Sequence, residues 1–202
     1  MPKPGMWFPS LNSTFIGQYC GEVIETNRMI LRPFQLSDHA DMLEYQSNPE
    51  VTRYIPWPIR TSEQVQEALE KGLSCTKIEK QGDSVLLSIE LKESKKVIGQ
   101  TNLSLVSEKN KYAEFGYVIN PAFSGNGYVT EAARALITWA FANIDLHRIG
   151  AVMDQRNPKS RDVCERLGLR LEASYLEDDF FKNEWTSTWI FAILKREWQA
   201  LN

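Results

Sequence analysis

Residues 112–136, "YAEFGYVINPAFSGNGYVTEAARAL", set an alternating strand pattern, a short turn holding Gly125 and Gly127, and the start of the longest helical pattern in the chain directly against one another. From Val129 the apolar positions fall at Ala132, Ala133, Leu136, Ile137, Ala140, Phe141 and Ile144, a stripe wide enough to bury a helix along one side. The next run, "RIGAVMD" at 148–154, is nearly continuously apolar, as a central strand covered on both faces would be. Strand, turn, long helix and strand together make a crossover unit, which brings the second strand back parallel to the first.

The segments before this unit have other periods. "RMILRPF" at 28–34 reads as a short strand closed by Pro33, and Ser37 and Asp38 offer cap oxygens for a helix through Ser47, ended before Asn48-Pro49. "RYIPWPIR" is too rich in proline for regular structure and reads as an aromatic loop. Thr61 and Gln64 form the two ends of a capping box opening a helix to about Lys80. Residues 84–91, 97–106 and 112–119 alternate as three antiparallel strands. After the crossover, Asn157, Pro158 and Gly168 are the cap, first turn and stop of a short helix, and residues 169–178 and 185–195 read as two last strands. The expected class is therefore α/β in the mixed, α+β sense: one mostly antiparallel sheet of about seven strands with one parallel crossover, flanked by about four helices. Residues 1–25, with Pro2, Pro4, Gly5 and Pro9, are expected as an irregular extension and 26–202 as the domain.

Charge narrows the partners. With 23 basic and 26 acidic residues intermixed and a net charge of −3, the chain offers no basic stripe for nucleic acid or an anionic membrane. No stretch reaches the roughly 18 apolar residues of a membrane span, and no signal peptide is visible, so a cytoplasmic protein is expected. Cys20, Cys75 and Cys164 are widely spaced, which suggests neither a disulfide framework nor a metal site. His39 and His147 stand outside any Cys/His/Asp constellation and are expected to be structural or surface groups. Trp7 or Phe8 could support a homodimer.

The glycine turn can be read in two ways. Bare amides where a helix begins, at the positive end of its dipole, suit a phosphate; equally, the glycines could only supply φ > 0 in a tight connection. No lysine follows Gly127 as a Walker loop requires. A dinucleotide fingerprint would need a small residue at Thr130 and an acid ending the next strand, whereas Asp145 ends the helix instead.

"SGNGYVTEA" after a strand and on a long alanine-rich helix resembles the acetyl-CoA pyrophosphate loop, [QR]xxGx[GA], of the GNAT N-acetyltransferase superfamily. More narrowly, "NRMILRPFQLSDHADML", "VIGQTNL", "AEFGYVINPAFSGNGYVTEA", "HRIGAVMDQRNPKSRDVCERLGL" and "IFAILKREW", in order from Arg28 to Trp198, resemble the RimJ/RimL-like branch of ribosomal-protein N-terminal acetyltransferases. Ser124 stands at the Gln/Arg position and Val129 at the small-residue position of the loop.

The resemblance implies acetyl-CoA as co-substrate and a primary amine, on a peptide N-terminus or a small molecule, as acceptor. It implies that the loop Ser124, Gly125, Asn126, Gly127, Tyr128, Val129 and Thr130 holds the pyrophosphate, that the backbone of Val118 and Ile119 lines the pantetheine arm, and that Asn157 bonds the pantetheine. Acyl transfer needs a neutral amine, a stabilised oxyanion and a proton for the departing thiolate. Glu114, in an "E-x-G-Y" sequence, is the implied base and Ser160 the implied hydroxyl near the sulfur; an outward strand carboxylate and a helix-start hydroxyl are their structural alternatives. Tyr54 and Trp57 are expected in one wall of the acceptor cleft. Trp185 is expected beside it, with Ser187 where the branch carries an acid and with Glu177, Asp178, Asp179 and Glu184 forming an acidic rim that would attract a cationic amine. A noncatalytic CoA-binding module and a nucleotide-dependent oxidoreductase are the alternative readings.

Overall fold

The computed structural model describes residues 23–201. Their strands are β1 (Ile24–Glu25), β2 (Met29–Pro33), β3 (Ser84–Leu91), β4 (Val97–Ser107), β5 (Tyr112–Ile119), β6 (Arg148–Asp154), β7 (Arg170–Phe181) and β8 (Glu184–Leu194). The helices are α1 (His39–Gln46), α2 (Pro49–Thr52), α3 (Ser62–Gly72), α4 (Tyr128–Asn143), α5 (Pro158–Arg166) and α6 (Lys195–Leu201). All eight strands join one sheet in the order β1-β2-β3-β4-β5-β6-β8-β7, in which β5 and β6 are the one parallel pair. This is the mixed α/β sheet expected, with one more strand and two more helices.

The differences have local causes. Ile24 and Glu25, expected in the irregular extension, pair with Leu31 and Ile30. Asn48-Pro49 does not only stop a helix: the Asn48 side chain accepts from the Glu50 amide and Pro49 fills the first helical position, so the dipeptide starts the single turn of α2. The α3 capping box forms as expected, but the helix ends at Gly72, after which the chain turns so that Thr76 bridges Val85; a Cβ at Gly72 would lie 2.5 Å from the Phe34 ring. Asp38 precedes α1 without capping it by its side chain, because its buried carboxylate accepts instead from Arg32, Ser88 and the Gln35 amide. The last strand gives way to α6, where Trp198 is buried against the core.

The core lies mainly between the sheet and α4. Ala132, Ala133, Leu136, Ile137, Ala140, Phe141 and Ile144 are all buried, as the stripe requires, against Ala113 and Phe115 of β5 and Ile149 and Ala151 of β6. Burying each of the larger side chains stabilises the fold by roughly 1.5–3 kcal/mol. On the opposite face a smaller cluster of Phe34, Met42, Tyr45, Val65 and Leu69 packs α1 and α3 against Leu86 and Val118. The strand β6 is less enclosed than its apolar run suggested, since Val152 is 49 % exposed. That exposure follows from how β5 and β6 part.

Candidate active site

Parallel pairing between β5 and β6 holds for three rungs only: Tyr112 with Arg148, Ala113 with Ile149 and Glu114 with Gly150. Beyond them β5 runs on to Ile119 paired with β4, and β6 runs on to Asp154 paired with β8, so the strands diverge and leave a wedge. Residues alternate their main-chain groups between the two edges of a strand, so part of the donors and acceptors of residues 115–119 face this wedge rather than β4. A cavity of about 320 Å³ fills it, lined by Phe115, Gly116, Tyr117 and Val118 on one side and Ala151, Met153 and Asp154 on the other. The last paired rung is tight. A Cβ on Gly150 would lie 2.6 Å from the Tyr112 hydroxyl, so a larger residue there would have to displace that ring.

The site residues expected from sequence assemble unequally around the wedge. Asn157 caps α5 by accepting from the Ser160 amide, and both residues line the cavity. The Ser160 hydroxyl lies 3.0 Å from that of Tyr117, a residue inside the "E-x-G-Y" sequence but not singled out by sequence reasoning. Burial pushes the Tyr117 phenol up to about 12, so it remains protonated at neutral pH. Glu114 sits on the last paired rung and is not among the cavity-lining residues; its Oε1 accepts from the Tyr112 hydroxyl at 2.6 Å. Burial, followed by the Glu114 carboxylate, raises the pKa of Tyr112, which keeps that donor protonated as well. Val118 lines the cavity, whereas Ile119 packs on the core.

The glycine turn joins the diverging end of β5 to the start of α4. Gly125 and Gly127 have φ of 82° and 77°, left-handed values that a residue with a Cβ adopts at a cost. Gly127 is the N-cap of α4 and supplies no capping side chain, so the amides of the first turn are left for an outside acceptor. Residues 124–127 are exposed. Arg28, just before β2, fastens this turn from outside. Its Nη1 donates to the Asn126 carbonyl at 3.0 Å, its Nε meets Glu131 Oε2 at 2.7 Å, and its guanidinium lies 4.3 Å from the centre of the Tyr128 ring. Partial burial alone would raise the Glu131 carboxyl; hydrogen bonds from Thr26 and Arg28 outweigh it and hold the group below its ordinary 4.5. No sequence signal marks Arg28, because its contacts span about a hundred residues.

Opposite α5, the loop after α2 closes the cavity with Tyr54, Ile55, Pro56 and Trp57. Lys182, at the tip of the β7–β8 hairpin, donates to the carbonyls of Thr52 and Trp57 and ties that loop in place. Trp185 does not reach the cavity. It is 62 % exposed and packs edge-on against Phe180, beyond the register shift between Tyr175 and Asp179. The expected acidic rim is partly neutralised, since Arg156 pairs with both Asp154 and Glu184. His39 bonds the Ser62 carbonyl, and neither histidine lines the cavity. Trp7 and Phe8 lie outside the described residues, as does Cys20. Among the described residues, no helix is long and apolar enough to cross a membrane.

Known proteins resemble this chain in sequence and in fold. The chain is 30% identical over 176 residues to the uncharacterized N-acetyltransferase YnaD of Bacillus subtilis (strain 168), covering 87% of this chain and 98% of that one. In fold it is similar to an acetyltransferase of the GNAT family from Bacillus anthracis, with a TM-score of 0.78 and 27% identity over 87% of this chain and all of that one. It also shares the fold of RimL, a ribosomal L7/L12 alpha-N-protein acetyltransferase in complex with coenzyme A, with a TM-score of 0.74 and 17% identity over 86% of this chain and 98% of that one. The match of residues 28–170 to the acetyltransferase (GNAT) domain spans the wedge, the glycine turn and α5 together, and the chain belongs to the GNAT acetyltransferase family.

Proposed function

We propose that this acetyltransferase moves an acetyl group from acetyl-CoA to a primary amine by direct attack in a ternary complex, with the reacting centre in the wedge between β5 and β6. The observation that carries the reading is the divergence after Glu114 and Gly150, with free strand edge on one side and the uncapped start of α4 following the end of β5. An extended arm bearing amides pairs with such an edge as an added strand does. A diphosphate suits the first-turn amides of α4, where helix dipole and free N–H groups coincide. The residues present therefore fit the co-substrate: Gly125 to Thr130 for the diphosphate, Val118 and Asn157 for the arm.

In the transfer, the N–C bond forms and the C–S bond breaks. The main-chain donors on the free edge of β5 stabilise the oxyanion that develops between these steps. Glu114 lies one rung outside the cavity, so it takes the amine proton through a water rather than directly. Tyr117 and Ser160 hydrogen-bond the departing sulfur. A phenol near pKa 12 does not yield its proton to a thiolate, whose pKa is about 8.5, so the pair stabilises the leaving group and the proton shed by the amine completes the thiol.

Release of CoA thiol from acetyl-CoA over a panel of primary amines tests the reading. It expects amine-dependent release with acetylated product in equal amount. Binding of acetyl-CoA without release for any peptide or small amine contradicts it.

A further inference from the structure

A second cavity, of about 510 Å³, adjoins the wedge through Pro56, Trp57 and Gln100, which line both. Its walls are largely apolar, with Phe34, Met42 and Leu86, yet two cations, Arg60 and Lys71, border it. Arg60 is half-buried, lies 3.8 Å from the centre of the Trp57 ring, and donates through Nη1 to Gln46 Oε1 at 2.7 Å. Among the described residues it forms no ion pair, unlike Arg156 near the wedge, which is bound to two carboxylates. A guanidinium carries five N–H donors, so most of its hydrogen-bonding capacity is left open by one amide oxygen. Gln46 in turn donates to Gln100 Oε1, which also accepts from Tyr45, so the group facing both cavities is held in one orientation.

A half-buried cation without a carboxylate has lost part of its hydration, and burial accordingly lowers the pKa of Arg60. Stacking on Trp57 and the bond to Gln46 hold its planar fork in place, the geometry that matches a carboxylate with two parallel bonds. We infer that the acceptor amine carries a carboxylate, received beside Arg60 while its amino group enters the wedge past Trp57 and Gln100. The inference rests on the amine-acetylation reading for the identity of the ligand and gives its chemical class: an amino acid-like molecule, or a peptide with an acidic residue near a free N-terminus. Arg60 and Lys71 both border the cavity that would receive the carboxylate, whereas the carboxylate at the wedge, Asp154, is already paired with Arg156.

The test is calorimetric titration of the CoA-loaded protein, which does not depend on turnover, with two matched pairs: β-alanine against its amide, and an amidated tetrapeptide with aspartate at the second position against its asparagine counterpart. In at least one pair the carboxylate member is expected to bind about tenfold more tightly, as charge-assisted bonds to a fixed guanidinium require. The pair that responds tells a small acceptor from a peptide. Arg60→Gln is expected to bring the ratio below about twofold and Arg60→Lys to retain part of it, with CoA affinity unchanged in both. Equal binding within both pairs, no binding of either carboxylate, or an undiminished preference in Arg60→Gln overturns the inference. Turnover of neutral amines without preference leaves the acetyl-transfer reading standing alone; carboxylate preference without transfer to any amine leaves the subsite and removes that reading.

Discussion

The hydroxyl of Tyr117 lies 3.0 Å from the hydroxyl of Ser160, joining the strand that leaves its parallel partner to the helix that closes the wedge behind it. Each oxygen restricts the rotamers of the other, so they act on a leaving sulfur as a unit. Tyr117→Phe and Ser160→Ala are each expected to lower kcat by about 10²-fold, with the KM for acetyl-CoA within about twofold. The double variant is expected to lose little more than the worse single one, which steady-state kinetics of the four proteins will show.

Glu114 receives a 2.6 Å hydrogen bond from Tyr112 on the rung where β5 and β6 are still paired. Glu114→Gln is expected to lower turnover by about 10²-fold while acetyl-CoA affinity holds. Tyr112→Phe, which removes the bond to Glu114 and leaves the carboxylate in place, is expected to lower it by less than about tenfold. Comparing kcat with a titration of acetyl-CoA separates the base role from general damage to the site.

Arg28 is expected to act on binding rather than on chemistry. Without it the Asn126 carbonyl, Glu131 and Tyr128 each lose a partner and the glycine turn loosens. Arg28→Ala is expected to raise the KM for acetyl-CoA about fivefold, with kcat changed by less than about twofold.

A methyl group on either turn glycine is expected to be costly. Gly125→Ala meets no atom within 4 Å, so its cost is the left-handed backbone alone, about 1–2 kcal/mol in denaturant unfolding. Gly127→Ala carries the same strain and sets a Cβ 3.6 Å from the Arg28 guanidinium, so it is expected to weaken acetyl-CoA binding as well.

The depressed Glu131 carboxyl ties stability to pH. Its contribution is fully present above the ordinary value of 4.5 and is lost as the pH falls through the lower folded value. Because the Arg28 side chain is 45% exposed, solvent screening holds this contribution to less than about 1 kcal/mol. Unfolding midpoints of the parent and Glu131→Gln are expected to converge below pH 4.5 and to separate above it.

Much of this fold was legible because its signals are local. The stripe of α4, the alternation of β3 to β5, the Thr61 and Asn157 caps and the glycine turn each lie within one short window of sequence, and each formed as its residues require. The wedge was not legible in the same way. Nothing in "YAEFGYVI" or "RIGAVMD" says that pairing stops after Glu114 and Gly150, since that depends on which partner each strand keeps on its far side. Arg28 and Arg60 were missed for a related reason: what they touch lies on other elements, and an arginine reads as surface charge until its neighbours are known. The contact of Trp185 with Phe180 belongs to the pairing of β7 with β8 and leaves no mark in "NEWTSTW".

The most direct test is a crystal structure of the protein with acetyl-CoA. The account expects the diphosphate within about 3 Å of the amides of residues 125–130 and the arm lying along residues 115–119 between β5 and β6, with the thioester sulfur beside Tyr117 and Ser160. Acetyl-CoA bound elsewhere, with β5 and β6 closed on each other beyond Glu114, would contradict it.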